Sequence, residues 1–123
     1  MTQQTDPVRL ADRYIAMWNE TDVETRRDLV AGTWTEDSLY VDPMMRGDGH
    51  EGIDAMVAGV QARFPDLRFS RTGPVDAHND RLRFTWALGA EGAEPLVAGL
   101  DVGVIAGDGR LASITGFLDK VPG

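Results

Sequence analysis

The chain contains no cysteine, which excludes disulfides, thiolate nucleophiles and cysteine-bound metals. Lysine is almost missing as well: Lys120 stands alone among 12 basic residues, set against 20 acidic ones. A net charge of -8 with scattered arginines argues against nucleic acid, whose phosphates require clustered cations. No apolar run approaches the roughly 20 residues of a membrane span. The opening residues, MTQQTDPVRL, have neither a basic start nor an apolar stretch, so no secretory leader is read there. These absences predict a cytoplasmic protein with neither nucleic acid nor membrane as a partner.

What is present describes an ordinary globule: 42% hydrophobic and 26% charged over 123 residues, the size of one domain, residues 1–123. Asp6 and Pro7 open a first helix, in which Val8, Ala11, Tyr14, Ile15 and Trp18 recur at helical spacing. Thr21 to Glu24 reads as a capping box for a second helix, closed by Gly32. Ser38 to Asp42 alternates like a strand, with Ser38, Tyr40 and Asp42 on one face. A third helix starts near Gly52, buries Ile53, Met56, Val57, Val60 and Phe64, and stops at Pro65. The period then switches to two. Leu67 to Phe69, RLRFTWAL, PLVAGLDVGVIA and RLASITGFL read as successive strands, with turns at Ala77 to Asp80, Gly92 and Asp108-Gly109. Helices followed by antiparallel strands make an α+β plan.

Gly47 to Gly52 spells G-x-G-x-x-G, the outline of a dinucleotide cradle. That motif must follow a buried strand and open the first helix of a parallel unit. Here two helices come first and the preceding strand is polar on one face, so the glycines are read as shaping a loop into the third helix. Arg46-Gly47-Asp48 also spells an adhesion tripeptide, to which no role is given. His50-Glu51 lacks the second histidine of a zinc helix, and neither a metal nor a cofactor is expected.

Two acids carry more. Asp42 shares a strand face with Tyr40, so if one points inward both do, and a buried carboxylate gains proton affinity. The plainer alternative ends the strand in water at Asp42-Pro43. Asp101 sits inside the apolar run VAGLDVGVI, on the face of Val97, Gly99, Gly103 and Ile105. The glycines on either side suggest an acid set in a cavity wall. Its plainer alternative is a bulge facing solvent, or a pairing with Arg83.

Tyr14, Asp42-Pro43 and Asp101, in the setting of ADRYIAMWNETD, SLYVDP, IDAMVAGV, VAGLDVGVI and GDGRLASITGF, resemble the nuclear transport factor 2-like superfamily. Its members include ketosteroid isomerases and SnoaL-like polyketide cyclases. The resemblance covers nearly the whole chain. It implies a cone: a strongly curved antiparallel sheet wrapped around a long helix, with an apolar pocket at the open end. By the isomerase pattern, Asp42 takes a proton from carbon beside a carbonyl. Asp101, kept neutral, and Tyr14 donate hydrogen bonds to the enolate. The expected substrate-binding residues are Trp18, Trp34, Tyr40, Met45, Met56, Val60, Phe64, Trp86 and Phe117. One departure is plain: the third helix offers Met56, Val57 and Val60 where those isomerases place further tyrosines.

The implied function is cofactor-free acid/base chemistry on a small hydrophobic carbonyl compound, first a double-bond shift. The alternatives are a SnoaL-like aldol cyclisation through Asp101, with His78 as a possible helper, and a module that only binds a hydrophobic ligand. Epoxide hydrolysis by an Asp-Arg-Asp set is not expected, since Gly99 stands where those enzymes carry arginine. Leu100, Val102 and Val104 make the outer sheet face apolar, which predicts a homodimer through that face.

Overall fold

The computed structural model describes residues 6–122. Three helices, α1 (Pro7–Asn19), α2 (Val23–Thr33) and α3 (Gly49–Arg63), combine with seven strands. The strands are β1 (Trp34–Val41), β2 (Arg46–Asp48), β3 (Arg68–Arg71), β4 (Asp76–His78), β5 (Arg81–Gly89), β6 (Val97–Ile105) and β7 (Leu111–Lys120). They form one curved, open sheet in the order β2-β1-β7-β6-β5-β3, with β4 also on β5. The architecture is α+β, as expected.

One expectation about the sheet is corrected. It is mixed rather than wholly antiparallel, because β1 runs parallel to β7, with Tyr40 opposite Ile114. Parallel neighbours need a crossover instead of a hairpin. Here α3 and five strands lie between the two partners in the chain. Irregular register in β1–β7 and in β6–β7 adds bend, as bulges do.

Local chemistry explains the helix ends. The Asp6 carboxylate accepts from the amides of Val8 and Arg9, and Pro7 fills the first turn. On α2 the cap is Asp22 rather than Thr21: its carboxylate accepts from the Thr25 amide at 3.0 Å and the Thr25 hydroxyl at 2.7 Å. Arg26, 4% exposed, bonds Asp54 at 2.7 Å and Gln61 at 3.1 Å, which locks α2 to α3.

The glycine-rich stretch is tighter than a loop. Arg46–Asp48 forms the short strand β2 on β1, and α3 begins at Gly49, earlier than Gly52. Gly49 adopts φ +69°, which suits glycine. A Cβ on Gly47 would stand 3.2 Å from the Gly52 carbonyl and from Cα of Ile53. The glycines therefore let a strand pass close against the helix that follows it. Among the described residues no helix is long and apolar enough to cross a membrane.

Candidate active site

Alternation on β5, β6 and β7 sends Phe84, Asp101 and Gly116 inward as cross-strand neighbours in one row. On β1 the same alternation buries Ser38 and Tyr40 and leaves Asp42 half-buried just beyond the strand. α1 lays Tyr14 over this row, fully buried among Trp18, Trp34 and Phe84. Two phenol–carboxylate pairs result. The Tyr14 hydroxyl donates to Oδ2 of Asp101 at 2.7 Å, and the Tyr40 hydroxyl donates to Oδ2 of Asp42 at 2.6 Å.

Asp101 is 2% exposed. Its second oxygen accepts from the Trp86 indole N–H at 3.1 Å. Burial pushes its carboxyl up to about 6; the bonds from Tyr14 and Trp86 pull against that rise, and the charge of Asp42 adds to it. A carboxyl at about 6 is mostly ionised at neutral pH. That differs from the neutral Asp101 implied by the isomerase pattern, and the two donors are the reason: both favour the carboxylate. Burial, followed by the charge of Asp101, raises both phenols as well and keeps them protonated.

Asp42 is tied differently. Its Oδ1 accepts from the amides of Met44 at 2.7 Å and Met45 at 3.0 Å, while its own amide donates to the Met45 carbonyl. The carboxylate thus closes the Asp42–Met45 turn as well as holding Tyr40.

The glycines beside Asp101 do not open a cavity, contrary to the expectation. A Cβ on Gly99 would lie 2.6 Å from Cζ2 of Trp86 and would also strike the Phe117 carbonyl. One on Gly103 would meet the Ile114 side chain at 2.9 Å. Gly99 instead makes room for the Trp86 indole, which crosses it to reach Asp101. The glycine that faces the acids is Gly116, which no local pattern singles out: a Cβ there would lie 3.0 Å from Oδ1 of Asp101 and 3.2 Å from the Tyr40 hydroxyl.

Both acids line a mostly apolar cavity of about 340 Å³. Nine of the twelve anticipated residues line it: Tyr14, Asp42, Asp101, Trp18, Tyr40, Met45, Val60, Phe64 and Trp86. Three do not. Trp34 is fully buried behind Tyr14, its indole N–H directed at the Met17 sulfur at 3.1 Å. Met56 lies one turn before Val60, where packed core replaces the cavity. Phe117 is 51% exposed; it stands opposite Leu100, so the alternation that sends Gly116 inward turns it out. Sequence reading missed Ile15, Arg63, Phe69, Leu88, Val97, Leu118, Val121 and Pro122. Leu88 and Leu118 were accessible by extending the period-two count from Trp86 and Gly116. His78 and Arg83 are exposed, and Arg83 pairs with Asp76 rather than with Asp101.

The SnoaL-like domain model matches residues 11–114. The chain belongs to the SnoaL-like domain family. A candidate isomerase of the SnoaL-like family from Agrobacterium tumefaciens is 40% identical, covering 92% of this chain and 97% of its own, at a TM-score of 0.87. A SnoaL-like polyketide cyclase candidate from Jannaschia sp. CCS1 is 19% identical, covering 95% of this chain and 91% of its own, at a TM-score of 0.67. A ketosteroid isomerase candidate from Kribbella flavida is 18% identical, covering 94% and 78%, at a TM-score of 0.68. The last two share the fold with this SnoaL-like chain. No curated protein matches it.

Proposed function

We propose that this SnoaL-like protein catalyses a cofactor-free proton transfer on a compact hydrophobic carbonyl compound, moving a double bond. The observation that carries this reading is a buried carboxylate, Asp101, held by Tyr14 and Trp86 in the wall of an apolar cavity. About 340 Å³ lies near the lower end of the usual range for ligand sites, roughly 300–1,000 Å³. The name of the Agrobacterium relative favours isomerisation over aldol closure.

The roles of the two acids are reversed relative to the isomerase pattern. Asp101 takes the proton from carbon beside the carbonyl, and the electron pair moves onto the carbonyl oxygen. Tyr14 and Tyr40, kept protonated by burial, each turn their one O–H from its carboxylate, Asp101 or Asp42, to that oxygen as its charge develops. Asp101 then returns the proton to the far end of the conjugated system. Asp42, already engaged by three donors, orients Tyr40 and raises the proton affinity of Asp101.

The test uses a β,γ-unsaturated ketosteroid, with conjugation followed by ultraviolet absorbance. The intact protein should give signal, and Asp101→Asn should lose about 10²- to 10⁴-fold, the usual worth of a general base. Absence of signal at high concentrations of folded protein would remove the isomerase assignment. Hydrophobic binding without turnover would leave a ligand carrier. As part of this proposal the chain works in the cytoplasm as a homodimer, joined through the outer sheet face where Phe117 stands opposite Leu100. Phe117→Glu should then halve the mass measured by light scattering.

A further inference from the structure

The cavity has a strong charge asymmetry. Its inner wall carries Asp42 and Asp101, and the one cation in the lining is Arg63, on the last turn of α3. Most arginines of this chain stand beside a carboxylate. Arg63 does not: among the described residues no carboxylate lies within ion-pair distance of it. Its guanidinium lies over the ring of Phe64, 5.4 Å from the centroid, and Phe64 itself lines the cavity. The aromatic face therefore holds an exposed, unpaired cation against the pocket.

We propose that the substrate is an amphiphile: a hydrophobic carbonyl compound that also bears an anionic group, a carboxylate or a sulfonate-like acid, bound by Arg63. This deepens the proposed function and rests on reading the cavity as a substrate site. Orientation follows from the charges. An anion cannot settle beside Asp42 and Asp101, both acidic and close to Gly116. It is attracted to Arg63, so the compound enters with its carbonyl toward Asp101 and its acid toward α3. A planar guanidinium suits such a group because it can present two parallel donors to two oxygens. Arg63 then selects substrates and sets their direction, without touching the reacting atoms.

The test compares two fluorescent probes with the same aromatic body, 8-anilinonaphthalene-1-sulfonate and its uncharged parent N-phenyl-1-naphthylamine. Arg63→Gln should weaken the sulfonate about tenfold and leave the parent within about twofold. Arg63→Lys should recover part of the loss. Arg68→Gln removes an equal charge from an exposed residue outside the cavity and should change neither Kd. Equal weakening of both probes, or no change in either, would overturn the inference. Because the readout is binding, a negative ketosteroid assay leaves it standing. Failure of both probes to bind would remove the substrate pocket and this inference together.

Discussion

Gly116 lies directly across from Asp101, and its missing side chain is the gap in which two carboxylates and a phenol converge. A methyl group there would stand 3.0 Å from Oδ1 of Asp101, 3.1 Å from Cβ of Asp42 and 3.2 Å from the Tyr40 hydroxyl. Each neighbour would have to yield by a few tenths of an ångström. Gly116→Ala should therefore cost about tenfold or more in kcat/KM, through displaced groups, and less than about 2 kcal/mol in unfolding free energy. Undiminished turnover in this variant would show that the gap has no bearing on the chemistry.

The acid limb of the pH–rate profile should report Asp101. With its carboxyl at about 6, kcat/KM should fall tenfold per pH unit below that value. The bond from Tyr14 favours the ionised form, so Tyr14→Phe should move the midpoint upward. A midpoint that stayed fixed or moved down would mean that another group titrates.

Stability should depend on pH through the same residue. Its proton affinity is raised from 3.8 to about 6 in the folded chain, so the native state holds a proton that the unfolded chain has released. The folded state is unpenalised below pH 4 and loses stability as pH rises toward 6. At about 1.4 kcal/mol per pH step, the loss is about 3 kcal/mol. Asp101→Asn lacks this slope, so urea titrations at pH 4 and pH 7 should show the variant gaining on the parent by about that amount. Parallel pH curves for the two proteins would refute the coupling.

Asp42→Ala separates the two duties of that residue. The amides of Met44 and Met45 and the Tyr40 hydroxyl would lose their acceptor, at about 1–3 kcal/mol in unfolding. The negative charge that raises Asp101 would also disappear, so the acid midpoint should shift downward. Urea titration reads the first effect, and carboxyl signals followed by NMR read the second. An upward shift would place the electrostatic origin of the raised value elsewhere.

Much of this architecture was readable in the residues. Asp6-Pro7, the period of α1 and the alternation of β5 and β6 each have one strong local cause, and each element formed where that cause lies. The inward side of Ser38, Tyr40 and Asp42 also followed from counting by two. The rest depended on partners far away in the chain. The parallel pairing of β1 with β7 leaves no mark in either strand. The purpose of Gly99 is visible only once Trp86 stands opposite it. Phe117 is expected among the substrate-binding residues, but the count through Gly116 turns it outward. Asp101 was found because charge in an apolar run is locally anomalous; its donors come from α1 and β5, and local sequence cannot name them.

The parallel seam between β1 and β7 also fixes an order of assembly. β5, β6 and β7 join through short turns, whereas β1 reaches β7 only by closing a loop over most of the described chain. Asp101 belongs to the hairpin side of that seam and Asp42 to the other, so the acids meet only once that long loop has closed. A refolding chain should consequently show early strand signals and gain the Asp42 contribution to the raised proton affinity of Asp101 only after that closure, which makes one carboxyl a clock for completion of the sheet.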